Sequence, residues 1–347
     1  MIFSRGGATT PKSPGNLTRR PGPPYRDVHA PAGARSVSSP DALVVVQKGD
    51  HSLGYYDFLT GAERHRVALD PFPRELSLTS DGRRAYICHF GVALAEDPGD
   101  DGRTVTLVDL QRRRRVATLE CGEHRRPYGV AVDLAGVAYV AAEGSDHLLV
   151  ARRPASGRFD AALPTRAKGP QVVTVTRDGS LVFVSHPRAG VVSALFPGDP
   201  ERPAVTIKVG GHPEGAALDE DERRLYVACR EKAEIAIIDV KRLAVAAHIR
   251  TARGPVRVCP DGNGLLLVPL HHDRSLAIME TPAGLRQRRV PLPAPPVSIG
   301  YHARSGSALV ATLGHEVCVV DVKKARVARR IATRRDPDAV AVVPLAD

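Results

Sequence analysis

The side chains with the clearest chemical capacity in this 347-residue sequence are its histidines. His89 and His186 each follow an aromatic residue, Tyr86 and Phe183, by three positions, and Cys229 holds the same place after Tyr226. His212 precedes Glu214 by two, and His271 opens the doublet in "PLHHDRS". Imidazoles act as general acids or bases near neutral pH, hold Zn, Fe, Cu or Mn, or anchor anions. His186, His212 and Glu214 are therefore the candidate metal set, with a divalent ion as the implied cofactor. With His89 and His271 they are also the candidate catalytic groups. No H-E-x-x-H or C-x-x-C spacing narrows the chemistry, and the sequence has no G-x-S-x-G, P-loop or G-x-G-x-x-G. Serine hydrolase, nucleotide hydrolase and dinucleotide enzyme thus lose their motif grounds.

Residues so far apart can cooperate only if the chain folds back on itself repeatedly, and it carries the signs of doing so. Prolines precede an apolar run at 127, 170, 213, 255, 296 and 337, in steps of 43, 43, 42, 41 and 41. Each unit reads as a short strand ("YGVAVD", "EGAALD"), a turn often built on Asp-Gly, and a second strand ("AYVAA", "LYVAC"). A third strand closes on Asp in "SLGYYD", "TVTLVD", "EIAIID" and "EVCVVD", and a fourth returns. Four short β-branched strands in about 40 residues describe one blade of a propeller, whose faces leave water by stacking on neighbouring blades. Pro73 opens a further copy. The segment from residue 41 supplies only three strands of a blade, and the missing first strand is "DPDAVAVV" near the other end. Pairing the two closes a ring of seven blades and removes two sheet edges. The fold class expected is all-β, one propeller over 41–347.

The segment "LYVACREKAEIAIIDVKRLAVAAHIRTARGP" resembles the blade consensus of the YVTN-repeat, YncE-like seven-bladed propellers, and the resemblance extends over roughly residues 41–345. It implies the fold. The family and its relatives by shape include nucleic-acid binders, cell-envelope proteins, lactonase-like hydrolases and a metal-dependent lyase, so fold alone does not select an activity.

Residues repeated in many blades belong to the scaffold: the strand-ending Asp57, Asp109, Asp239 and Asp321, the leading prolines, and the second-strand aromatics. In a propeller the loops before first strands and after second strands share the top rim. Nine of the twelve histidines beyond residue 40 map there, and only His65, His248 and His302 do not. His212 lies between the blade of His186 and the next, so the two are expected to approach each other, whereas Cys229 reads as a small buried filler. Glu75, Tyr128, Gln171, Arg257 and Asp338 start first strands, nearest the axis, and vary from blade to blade. They are the candidate substrate-binding residues, with Arg257 as an anion anchor. Tyr86 to Asp109 spans 23 residues against 13 from Tyr226 to Asp239. The excess of about ten residues lies within "FGVALAEDPGDDGRT", which rises from the top beside His89 as a solvated acidic loop or a lid.

The first 40 residues hold seven prolines and little to bury, and are expected to form a disordered tail. Five cysteines without C-x-x-C spacing fit a reducing compartment, and the cytoplasm is the expected location. No stretch approaches the roughly 20 apolar residues that cross a bilayer as a helix. Of the net charge of +11, the tail carries +5. Arg83-Arg84, Arg112 to Arg115, Arg223-Arg224 and Lys323-Lys324 fall in bottom turns, where they could meet phosphates or an acidic partner. Aromatic content of 4% with no Trp speaks against stacking on single-stranded nucleic acid. The sequence thus supports a monomeric cytosolic propeller that binds a small molecule at a histidine-rich top mouth. The chemistry expected is acid/base or metal-assisted, as in a lyase, cyclase or lactone hydrolase. The alternative is a non-catalytic scaffold whose basic bottom binds nucleic acid or an acidic protein.

Overall fold

Short β-branched strands separated by tight turns leave the chain little choice but antiparallel pairing. In the computed structural model, which describes residues 41–281, 284 and 286–344, they form seven four-stranded antiparallel sheets. The protein is a seven-bladed β-propeller. Among the described residues there is no α-helix, only four single-turn 3₁₀ segments. The tail expected over residues 1–40 lies outside the described residues.

The first blade is built from both ends of the propeller. Asp41–Gln47 pairs antiparallel with Pro337–Pro344 in the register Ala42↔Val343, Leu43↔Val342, Val44↔Ala341 and Val45↔Val340. Ser52–Asp57 and Glu63–Ala68 complete the sheet. The second blade opens at Pro73, the third at Pro127, the fourth near Pro170, the fifth at Pro213, the sixth after Pro255 and the seventh at Pro296.

Seven hydrophobic clusters fill the seven seams between blades. Successive side chains of a strand point to opposite faces, so one strand serves two seams. In Arg84–His89, Ala85 and Ile87 face the first blade while Tyr86 and Cys88 face the third. Second and third strands are therefore buried on both sides and read as near-continuous apolar runs, as in "VFVSH" and "EIAIID". Fourth strands, at the rim, bury single residues such as Val67, Ile249 and Ile331.

The repeated aspartates tie turns. Asp57 Oδ1 accepts the amides of Leu59 and Thr60 at 3.0 and 2.7 Å. Asp109, Asp239 and Asp321 accept those of Arg112, Arg242 and Lys324 at 2.8, 2.8 and 2.9 Å.

Ring closure makes Val343, fully buried in the seam between the first two blades, a sensitive position. Val343→Asp is expected to cost on the order of 4 kcal/mol, as an unpaired buried charge does. Chemical denaturation reads this directly, and an unchanged midpoint would mean that the closing strand is dispensable.

Candidate functional site

The residue before six of the seven leading prolines adopts an unusual backbone. Phe72, Arg126, His212 and Asp336 have φ of 50, 55, 57 and 53°, and the equivalent places before Pro170 and Pro255 are Gly169 and Gly254 at 65 and 78°. The seventh is Pro295. The carbonyls of these residues accept a hydrogen bond from the amide just past the second strand of the same blade. The pairs are Phe90 to Phe72 (3.1 Å), Glu143 to Arg126 (2.9 Å), Arg230 to His212 (3.2 Å), His271 to Gly254 (2.7 Å), Leu313 to Pro295 (2.9 Å) and Lys48 to Asp336 (2.9 Å). In the fourth blade that place is Pro187, which has no amide hydrogen. His212 is thus a scaffold position in its backbone and individual only in its side chain.

After the proline, the first strand slips register against the second: between Pro73 and Leu76, Pro127 and Val130, Pro213 and Ala216, and Pro296 and Ser298. Such bulges re-aim side chains. Here they turn the residue after each proline toward the axis. Arg74, Tyr128, Glu214, Val297 and Asp338 line one cavity of about 150 Å³. The residues past the second strands, Lys48, Arg230, His271 and Leu313, line it too, as do Val256 and Arg257. Six of the seven blades contribute.

Ion pairs knit this cavity. Arg257 Nη2 donates to Glu75 Oε1 at 2.5 Å, joining the sixth blade to the second across the axis, and Nη1 lies 3.8 Å from Glu214. Gly215 admits this arginine: a Cβ there would sit 2.7 Å from Arg257 Cα and Cδ. Arg230 pairs with Glu214 at 2.8 Å, and Arg74 with Asp338 at 3.7 Å. Burial works against the charge of Arg257, but Glu75, Tyr128, Glu214 and Asp338 more than offset it and hold its pKa above the usual value. Burial also pushes the Tyr128 hydroxyl up to about 12, so it stays protonated. Arg74 carries the site outward. Its guanidinium lies 4.8 Å from the Phe90 ring centre and 5.3 Å from that of Tyr128, and Nη2 donates to the Ala93 carbonyl at 2.6 Å.

Ala93 belongs to the long insertion of the second blade, which reaches across the top. Glu96 pairs with Arg188 of the fourth blade at 2.7 Å, and Asp101 is held by Arg126 and by Arg125. Its neck is tight: a Cβ on Gly102 would meet the His89 carbonyl oxygen at 1.8 Å.

The histidines are distributed differently from the sequence expectation. His186 is fully buried inside its blade, its Nδ1 donating to the Lys168 carbonyl at 3.1 Å and its Nε2 lying 3.0 Å from the Ser193 hydroxyl. His89 is likewise buried, with Nε2 2.8 Å from the Thr106 hydroxyl. Both end second strands, whose side chains pack within and between blades, one residue short of the position that reaches the axis. Burial lowers both to about 4. His186 therefore does not join His212 and Glu214, and the expected metal set is not assembled. Among the described residues no three His, Cys, Asp or Glu are placed to hold a metal ion. His212 does flank Glu214, with Nε2 3.7 Å away and Nδ1 3.8 Å from Glu231. His271 lines the cavity while His272 packs edge-on against it, ring centres 5.4 Å apart. A carbonyl only accepts, so the 2.9 Å contact of His271 Nδ1 with the Pro296 carbonyl puts the proton on Nδ1 and leaves Nε2 basic. Burial lowers the pKa of this ring, with Arg230 acting the same way.

Of the expected substrate-binding residues, Tyr128 and Asp338 line the cavity, Glu75 ties Arg257, and Gln171 donates to Glu143 at 3.3 Å. Arg257 lines it but is committed to Glu75, Glu214 and the Val256 carbonyl (2.9 Å), which corrects its reading as an anion anchor. Arg74, Arg230 and Lys48 escaped the sequence reading, although they stand in the same repeat register as Tyr128 and His271.

No protein-family model matches the chain, and no curated protein sequence matches it. Solved structures do. A functionally unknown protein from Desulfotomaculum acetoxidans aligns at 12% identity over 88% of this chain and 99% of its own, with a TM-score of 0.73. The periplasmic gluconolactonase PpgL of Pseudomonas aeruginosa aligns at 17% over 88% and 99%, with a TM-score of 0.71. Hydrazine synthase of Kuenenia stuttgartiensis aligns at 15% over 83% and 99%, with a TM-score of 0.66. At these identities the likeness is one of fold.

Two outcomes are expected. His89 and His186 stay neutral in the fold to about pH 4 but protonate in the unfolded chain below about 6.5. Their folded pKa values are depressed, so stability is full above about 6.5 and falls as pH drops toward 4, by on the order of 3 kcal/mol each. Denaturant titrations of His89→Gln and His186→Gln across that window should show a shallower pH slope than the parent protein; an identical slope refutes the burial account. His212→Gly, which suits the left-handed backbone, should change stability by less than about 1 kcal/mol, whereas His212→Pro should unfold the fifth blade's opening turn. Thermal melts of the two variants decide it.

Proposed function

We propose that the protein binds a compact polar small molecule in the axial cavity and transforms it by proton transfer, with hydrolysis of a lactone as the specific reaction. One observation carries the reading. Around the cavity, Arg74 Nε, Asp338 Oδ2 and the nearby Glu143 Oε2 are buried without a hydrogen-bond partner. Native folds leave such atoms chiefly where water or a ligand completes them. The lactonase version draws support from the shared propeller fold of the periplasmic gluconolactonase.

In this reaction water attacks the lactone carbonyl while His271 Nε2 takes its proton. Arg230 and Lys48, both on the cavity wall, stabilise the oxyanion. The ring C–O bond then breaks, the protonated Tyr128 hydroxyl supplies a proton to the departing alkoxide, and the proton held on His271 returns to the Tyr128 oxygen. Acid/base chemistry is favoured over the metal-assisted form because the described residues offer no ligand set. The likeness of the blades to the YVTN repeat and a cytoplasmic location belong to the same proposal, as does a monomeric state. The alternative, a scaffold binding nucleic acid or an acidic protein, rests on exposed bottom-turn arginines such as Arg112.

The test follows proton release from five- and six-membered lactones. His271→Gln is expected to lower kcat by about 10²–10⁴-fold, and Arg112→Ser with Arg114→Ser and Arg115→Ser to leave it unchanged. The lowered pKa of His271 puts the acid limb of kcat/KM below about pH 6.5. Turnover that survives His271→Gln, or salt-sensitive nucleic-acid binding lost only in the bottom-turn variant, would reject the reading.

A further inference from the structure

The class of ligand follows from the polar atoms that the cavity leaves unmatched; this inference rests on the axial-site reading above. Two of its lining residues carry buried atoms without a hydrogen-bond partner, the donor Arg74 Nε and the acceptor Asp338 Oδ2. A carboxylate ligand could accept from Arg74 but has nothing to give Asp338. An ammonium could donate to Asp338 but cannot accept from Arg74. A hydroxyl does both.

Charge leads the same way. Of the four cations on the wall, Arg257 is paired with Glu75 and Glu214, Arg230 with Glu214 and Arg74 with Asp338, while Lys48 alone has no ion-pair partner among the described residues. Glu214 and Asp338 are each about 14% exposed, so a ligand carboxylate set beside them would meet weakly screened repulsion. Size completes the picture. About 150 Å³ is half the lower bound of drug-sized pockets, roughly 300 Å³.

The geometry points to an uncharged, hydroxyl-rich ligand of monosaccharide size, with Arg74 and Asp338 as the residues that select hydroxyls over ionised groups. Arg74 also holds the Ala93 carbonyl of the insertion, so the group that reads the ligand is anchored to the segment lying across the top.

Glucose, gluconate and glucosamine share a six-carbon skeleton and differ in charge, and calorimetric titration of the full chain with each tests the selection. Glucose is expected to bind at least tenfold more tightly than either charged relative. Asp338→Asn, an isosteric change that survives if the fold does, should weaken it at least fivefold, as should Arg74→Met. Equal or tighter binding of gluconate or glucosamine overturns the hydroxyl class; if that binding is lost in Arg74→Met, the axial site itself stands. Absence of binding by all three overturns both.

Discussion

Six short backbone hydrogen bonds organise the top of this propeller. In each, the amide past a second strand donates to the carbonyl before the leading proline, and in five of the six that carbonyl is aimed by a left-handed residue, Pro295 being the exception. The bond brings the two top loops of a blade together. It also decides which side chains reach the axis: the one carrying the donating amide and the one just after the proline. Most of the cavity wall follows from those two places, with Arg257 and Asp336 added from neighbouring positions. A left-handed backbone costs a non-glycine residue roughly 1–2 kcal/mol, which the seams between blades offset many times over by burying apolar surface.

The cavity gathers charges in a place where charge is expensive. Isolated, any of Arg257, Glu75 or Glu214 would be strongly destabilising there. As a network they are tolerable, and the short Arg257 to Glu75 contact ties opposite sides of the ring. Such pairs add little net stability compared with apolar residues of the same volume. They are concentrated where six blades converge, in keeping with the general concentration of perturbed groups at working sites.

The fold was readable in the sequence because its determinants repeat. Regular proline spacing, Asp-terminated third strands and the displaced "DPDAVAVV" strand led to seven blades and the correct closure. The candidate site was readable only in part. Tyr128, Asp338, Glu214 and His271 stand on the cavity wall, at repeat positions near the axis or the top rim. For His89 and His186 register overrides residue type: one step along a strand separates the buried end of "AYICH" from the axial Phe90 place. Arg74 and Arg230 are the converse case, since arginine is so common in this chain that only the register set by the prolines distinguishes them. The contact between Glu96 and Arg188 was beyond reach, because nothing local in either segment encodes it.

The strand that seals the ring has a temporal meaning as well. Pro337–Pro344 leaves the ribosome after the other twenty-seven described strands, yet it supplies Asp338 to the axial wall and the partner of Asp41–Gln47, the first of them. Until it docks, Asp41–Gln47 waits with an open edge and Arg74 lacks its carboxylate. The axial wall in this architecture is therefore completed in a single late event.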